Sequence, residues 1–363
     1  MKKTIILGIE TSCDETAFSL VEASGTLAGR PKFKVLKNLV ASQIEIHREF
    51  GGVVPNLAKR EHLKNLPILF KKLAVEGRML DAVDLIAVTV GPGLEPALWT
   101  GINFAKQIYD LGHKTNDKLK LIGVNHLEGH LYSFLLPHKN VRSKTLDVRQ
   151  VFPAVALLVS GGHTMLILMK DLKTWKIIGE TRDDAVGEAF DKVARMLNLP
   201  YPGGPEIQKI AEKGDPLAIE FPRPMIYDKN YDFSFSGLKT SVLYYLRNKN
   251  SDANMRIHAN YTNINRADIA ASFQKAAVDV LVKKTMRAAA DFSAKSIVLS
   301  GGVAANKKLR DELKKAAKNS GLKFLVAEQK YNTDNAAMIA VAGYMNFLRK
   351  KKYPLQANGN LRI

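Results

Sequence analysis

A chain of 363 residues, 46% of them hydrophobic, can bury one large core or two packed lobes, which excludes a disordered polymer. Its one cysteine, Cys13, excludes an internal disulfide and any multi-cysteine zinc site, so metal ligands must be sought among histidines and carboxylates. A formal net charge of +19 and a pI near 9.7 favour a polyanionic partner, whether nucleic acid, anionic membrane or acidic protein.

The Met-Lys-Lys start leads into a strand-like segment, residues 4–10, without a signal-type cleavage site. No run of about 18 apolar residues follows anywhere, so a soluble, cytoplasmic protein with no membrane partner is expected. The first strand enters the polar turn Thr11-Ser12-Cys13-Asp14-Glu15-Thr16 and leaves through a second strand at 17–22. An apolar strand at 85–90 then ends in Gly91-Pro92-Gly93, where a helix opens.

A further apolar strand, 121–124, precedes Asn125-His126-Leu127-Glu128-Gly129-His130. On a helix, His126 and His130 fall on one face a turn apart, which suits two ligands of a single divalent ion. A metallopeptidase would place its glutamate directly after the first histidine, whereas Glu128 lies two after it. That moves the carboxylate roughly 100° round the helix, away from a metal-bound water, so Glu128 is expected to support a ligand or to face solvent.

The second half repeats the first. A strand at 154–159 enters Ser160-Gly161-Gly162-His163-Thr164 and leaves through 165–169, and a short strand at 297–299 ends in Ser300-Gly301-Gly302-Val303-Ala304-Ala305-Asn306. Such strand-loop-helix units aim backbone N–H groups at anions. Two lobes are implied, 1–150 carrying the histidine pair and 151–363 carrying the loops, with the last helix free to pack back on the first lobe. Between the loops lie a helix at 184–197, an irregular stretch at 201–236 and a polar loop at 248–265. Lysines at 307–318 read as a solvated helix face. A final helix begins at Ala336; Asp334 is either a third metal ligand or, like Thr333, merely its cap.

The repeated turns resemble the actin/Hsp70/sugar-kinase (ASKHA) superfamily, which implies an α/β fold of two duplicated lobes around an interlobe cleft. The second turn carries His163 where a kinase would place an acid for Mg²⁺, which argues against phosphoryl transfer.

Several segments together resemble one family: Gly8 to Thr16, Gly51-Gly52-Val53-Val54-Pro55, His126 to His130, Leu158 to Thr164, Gly187-Glu188-Ala189-Phe190-Asp191-Lys192, Tyr201-Pro202-Gly203-Gly204-Pro205, Phe233 to Thr240, Ser300 to Asn306 and Thr333-Asp334-Asn335. They are similar to the TsaD family of tRNA threonylcarbamoyladenosine transferases, in order and across nearly the whole chain. The resemblance implies an acyltransferase that moves threonylcarbamoyl from threonylcarbamoyl-AMP to N6 of adenosine 37 in tRNA. It implies His126, His130 and Asp334 as ligands of one divalent metal, Fe²⁺ favoured over Zn²⁺. It places Leu158, Val159, Ser160, Gly161 and Gly162 at the phosphates, Asp191 and Gly204 at the ribose and Asn306 at the nucleotide. Glu15 is the candidate proton acceptor or substrate-positioning carboxylate. The implied partners are tRNA, a TsaB-type paralogue and a TsaE-type ATPase. A metallopeptidase and a small-molecule O-carbamoyltransferase are the competing readings.

Overall fold

The apolar segments of each half pair into a five-stranded sheet in the computed structural model, which describes residues 3–27, 31–73, 79–137, 150–249 and 265–363. The expected loop at 248–265 lies largely outside the described residues. The first sheet is built from β1 (Thr4–Glu10), β2 (Glu15–Ser24), β3 (Lys32–Ser42), β4 (Leu85–Gly91) and β5 (Lys120–Asn125), in the order β3-β2-β1-β4-β5. β1 runs antiparallel to β2 and parallel to β4, with Gly8 opposite Ser19 on one side and Ala87 on the other. β4 is buried along its whole length, which is why its sequence is a continuous apolar run, whereas β3 alternates at the edge.

The second sheet repeats this topology strand for strand: β6 (Ala154–Val159), β7 (Thr164–Met169), β8 (Trp175–Glu180), β9 (Ser296–Ser300) and β10 (Lys323–Val326) in the order β10-β9-β6-β7-β8. Again a central strand has an antiparallel hairpin partner and a parallel crossover partner. Two such sheets with helices are the ASKHA architecture.

The chain forms two compact units, 1–150 with 327–363, and 151–326. In the first, α1 (Ile44–Arg48), α2 (Pro55–Leu73), α3 (Glu95–His113) and α4 (His126–Tyr132) join α10 (Ala336–Arg349). α10 packs on β1, β2 and α4. Gly8 permits this: a Cβ there would lie 2.1 Å from the carbonyl oxygen of Ala336. Met338, Ile339, Val341 and Met345 are fully buried, at roughly 1.5–3 kcal/mol each, so the helix has a strong reason to join this unit.

The second unit contains α5 (Val186–Met196), α6 (Gly203–Ala211), α7 (Ser236–Lys249), α8 (Arg266–Asp291) and α9 (Lys307–Asn319). α6 corrects the expectation of irregular chain at 201–236. Ile207 and Ala211, one turn apart, are buried, and a side chain at Gly203 would collide with Ala194 on α5. Flanking prolines and glycines conceal that short period. The lysines of α9 do form a solvated face, with i,i+4 pairs Lys307–Asp311 and Lys308–Glu312. No helix among the described residues is long and apolar enough to cross a membrane.

Candidate metal centre and glycine turns

His126 and His130 lie on α4, their ring centroids 4.7 Å apart. The helix starts there because Asn125, extended at the end of β5, accepts the amides of Leu127 (2.8 Å) and Glu128 with its side-chain oxygen. Asp334 arrives from the turn before α10, Oδ1 3.5 Å from His126 Nε2 and 3.1 Å from His130 Nε2. Asn335, rather than Thr333 or Asp334, caps α10 through a 3.1 Å bond from the Met338 amide, which leaves Asp334 to face the imidazoles. The three ligand atoms lie within 4.8 Å of one another, so the group could hold one metal ion.

Two observations fit a cation. Both ring nitrogens of His130 are buried without a hydrogen-bond partner, its approach to Asp334 lacking the alignment of one. An orphaned buried polar group costs about 1–3 kcal/mol unless something coordinates it. The second is charge: burial pulls the His126 imidazole down, but Asp334 and Glu10 outweigh it and hold the group at about 9. The surroundings therefore demand positive charge, which a proton or a divalent ion can supply.

Glu10, the last residue of the first strand, is a site residue that the sequence did not single out. Fully buried at the end of β1, it accepts the Ser12 amide at 2.5 Å and the Thr89 hydroxyl at 2.7 Å, and its Oε2 lies 3.1 Å from His126 Nδ1. Burial alone would raise its pKa, yet the neighbouring His126 lowers it. A carboxylate at Nδ1 keeps a proton there and orients the ring so that Nε2 faces Asp334. An acid closing an apolar strand was the available signal.

Glu15, half-buried at the start of β2, has its carboxyl pushed well up by burial and by the charges of Asp14 and Asp334. Its turn is braced from behind: His62, fully buried, lies 2.9 Å from the Cys13 carbonyl through Nε2 and 2.8 Å from the Thr16 hydroxyl through Nδ1. Burial lowers the pKa of His62, which matches a neutral ring donating to the carbonyl and accepting from the hydroxyl.

Glu128 corrects the solvent half of its expectation. It is fully buried, bonded by Asn346 Nδ2 (2.6 Å) and Lys351 Nζ (2.7 Å). A carboxylate so engaged is unavailable as the general base of a peptidase.

In the second unit, Leu158 and Val159 end β6 as buried strand, while Gly161 and Gly162 are exposed in the turn that Ser160 closes by donating its amide to His163 (2.8 Å). A Cβ at either glycine would meet nothing within 4 Å, so packing does not demand glycine there. The N-terminus of α5 abuts the turn, Gly187 fitting against Ser160 and Gly161. Asp191 accepts the Gly203 amide at 2.7 Å, which brings it beside Gly204 at the start of α6. Gly301, at φ +89°, shapes the third loop, where Asn306 caps α9 through the Leu309 amide and donates to Gln274 at 2.8 Å. The structure thus groups His126, His130 and Asp334 in one unit and Ser160 to Gly162, Asp191, Gly204 and Asn306 in the other.

A family model described as "TsaD: tRNA N6-adenosine threonylcarbamoyltransferase" matches residues 34–341. Among curated relatives, the tRNA N6-adenosine threonylcarbamoyltransferase of Moorella thermoacetica is 48% identical over 98% of this chain and 96% of its own length. That of Thermosipho africanus is 46% identical over 99% and 100%. Full-length HypF, solved in a phosphate- and nucleotide-bound form, superposes with a TM-score of 0.54 at 13% identity, covering 98% of this chain and 47% of that one, a likeness of fold.

Proposed function

The chain belongs to the TsaD family, and we propose that it transfers the threonylcarbamoyl group from threonylcarbamoyl-AMP to N6 of adenosine 37 in tRNAs reading ANN codons, forming t6A and releasing AMP. The observation that carries this reading is the convergence of His126, His130 and Asp334, from distant parts of the chain, within 4.8 Å. They would hold one divalent ion, Fe²⁺ favoured and Zn²⁺ the alternative, since two histidines and one carboxylate suit either. When bound, the ion would supply Lewis-acid charge to the reaction.

In the reaction the N6 amine attacks the carbamoyl carbon, the bond to the phosphate oxygen breaks with its electron pair going to AMP, and N6 loses a proton. The donor is a mixed anhydride, so the protein's task is chiefly positioning and charge stabilisation. Ser160, Gly161 and Gly162, after Leu158 and Val159, cradle the phosphate with backbone amides at the N-terminus of α5. Asp191 and Gly204 serve the ribose, and Asn306 shapes the loop around the nucleotide. Glu15 orients the threonylcarbamoyl group or takes the N6 proton. The charge of +19 suits an anticodon arm, whose base 37 must leave its stack. A cytoplasmic setting with a TsaB-type paralogue and a TsaE-type ATPase completes the reading.

The test is reconstitution with unmodified tRNA, threonine, bicarbonate, ATP, a threonylcarbamoyl-AMP synthase and both partner types, followed by nucleoside analysis. Appearance of t6A is expected. Its absence in every combination, from protein that holds metal and nucleotide, overturns the reading, and turnover of carbamoyl phosphate without tRNA would favour a small-molecule carbamoyltransferase.

A further inference from the structure

Glu128 sits between the two histidines on α4, yet neither metal binding nor acyl transfer accounts for it. Its Oε1 takes the 2.7 Å bond from Lys351 and lies 3.6 Å from Arg349, and Asn346 bonds Oε2 at 2.6 Å. Arg349 also reaches the hydroxyl of Tyr132, the last residue of α4, at 3.2 Å. All these partners lie on or just after the C-terminal end of α10, the helix whose N-terminal turn presents Asp334. One helix therefore supplies the third ligand at one end and grips the helix of the other two at its opposite end.

The chain after α10 extends the grip. Lys350 is left-handed at φ 57° and reverses the chain, so that Lys351 returns toward α4. The segment next passes Gly123 on β5, where a Cβ would lie 3.1 Å from the Tyr353 carbonyl and 3.3 Å from that of Pro354. Asn358 then donates to the Val90 carbonyl at 2.9 Å, and the Arg362 carbonyl accepts from Asn125 Nδ2 at 3.0 Å. Asn125 is the residue whose side-chain oxygen caps α4. The seven-residue helix bearing both imidazoles is thus held at its cap by Arg362 and in its middle by Lys351.

Resting on the metal reading above, we propose that Glu128 and Lys351 are a positioning pair through which the segment following α10 sets His126 and His130 against Asp334. A seven-residue helix has little stability of its own, so its placement is decided by such contacts. A buried carboxylate fixes it firmly because each lost partner leaves an uncompensated charge.

The test uses the full chain and zinc as a redox-stable probe, with affinity measured by chelator competition and Tm measured alongside. Lys351→Met is expected to weaken zinc binding at least about tenfold, within the range for residues that support metal ligands. Glu128→Gln with Lys351→Met, which removes both charges of the pair together and leaves Arg349 its bond to the Tyr132 hydroxyl, recovers affinity to within about threefold of wild type. Zinc affinity of Lys351→Met within about twofold of wild type, with only Tm lowered, makes the pair merely structural and overturns the proposal. So does a double variant that binds no better than Lys351→Met alone. Should Lys351→Met not fold, Glu128→Gln alone, which keeps an acceptor for Asn346, is read by the same criterion. His130→Ala separates the two readings: if it keeps wild-type zinc affinity the metal reading falls and takes the pair with it, whereas loss of zinc there with none in Lys351→Met sinks the pair alone.

Discussion

The turn between β1 and β2 and the turn between β6 and β7 occupy the same place in the two repeated sheets, yet they are built in opposite ways. In the first, Thr11, Ser12 and Asp14 are buried, Glu10 is locked by three donors, and carboxylates raise the neighbouring His126 to about 9. In the second, Gly161 and Gly162 are exposed and have no side chains to spend on packing. One backbone plan thus suits two chemistries: converging side chains of fixed orientation fit a small cation, and an open glycine turn fits an anion bound by backbone amides.

The comparison breaks first at Asp334. Asp334→Ala is expected to abolish metal binding and lower t6A formation by about 10³-fold in single-turnover assays while AMP binding persists; activity within tenfold of wild type would sink the metal centre. Glu10→Gln keeps shape but removes the charge at His126 Nδ1, and zinc affinity should fall about 10- to 100-fold by chelator competition. Unchanged affinity would mean that the tautomer is set by something else. On the other side, Gly161→Val should leave Tm nearly unmoved, since its Cβ meets nothing, but weaken AMP or donor binding by about tenfold in calorimetry. Equal affinity would deny the turn its phosphate.

The smallest effect concerns pH. Burial of Asp183 works against its charge, but the Ser234 and Ser236 hydroxyls and the amides of Phe235 and Ser236 together hold its carboxyl below the ordinary value. A carboxylate with a lowered folded-state pKa contributes stability above the ordinary value of 3.8, lost as pH falls through the folded-state value. Urea midpoints measured from pH 5 downward should therefore fall less steeply for Asp183→Asn than for wild type; parallel curves would remove Asp183 from the acid response.

Much was legible beforehand because it follows local periodicity. Strand alternation, the repeat and the helical spacing of His126 and His130 depend on neighbours in the chain, and the motifs were specific enough to suggest the family. Glu10 was visible as an acid but not as the partner of a histidine 116 residues away, a pairing made only when β1 and α4 meet. Likewise Asp334 stood level with its own role as a cap until Asn335 took that role.

The residue types and their spacing along the chain were thus sufficient for two α/β repeats, a two-histidine helix and glycine turns, since hydrophobic period and turn chemistry act over a few residues. Only tertiary packing decided that α10 joins the first unit, that Glu128 is buried against Lys351 rather than solvated, and that Asp334 completes the histidine pair. Those outcomes depend on which buried faces and charges meet across two hundred residues or more, and no local pattern encodes them.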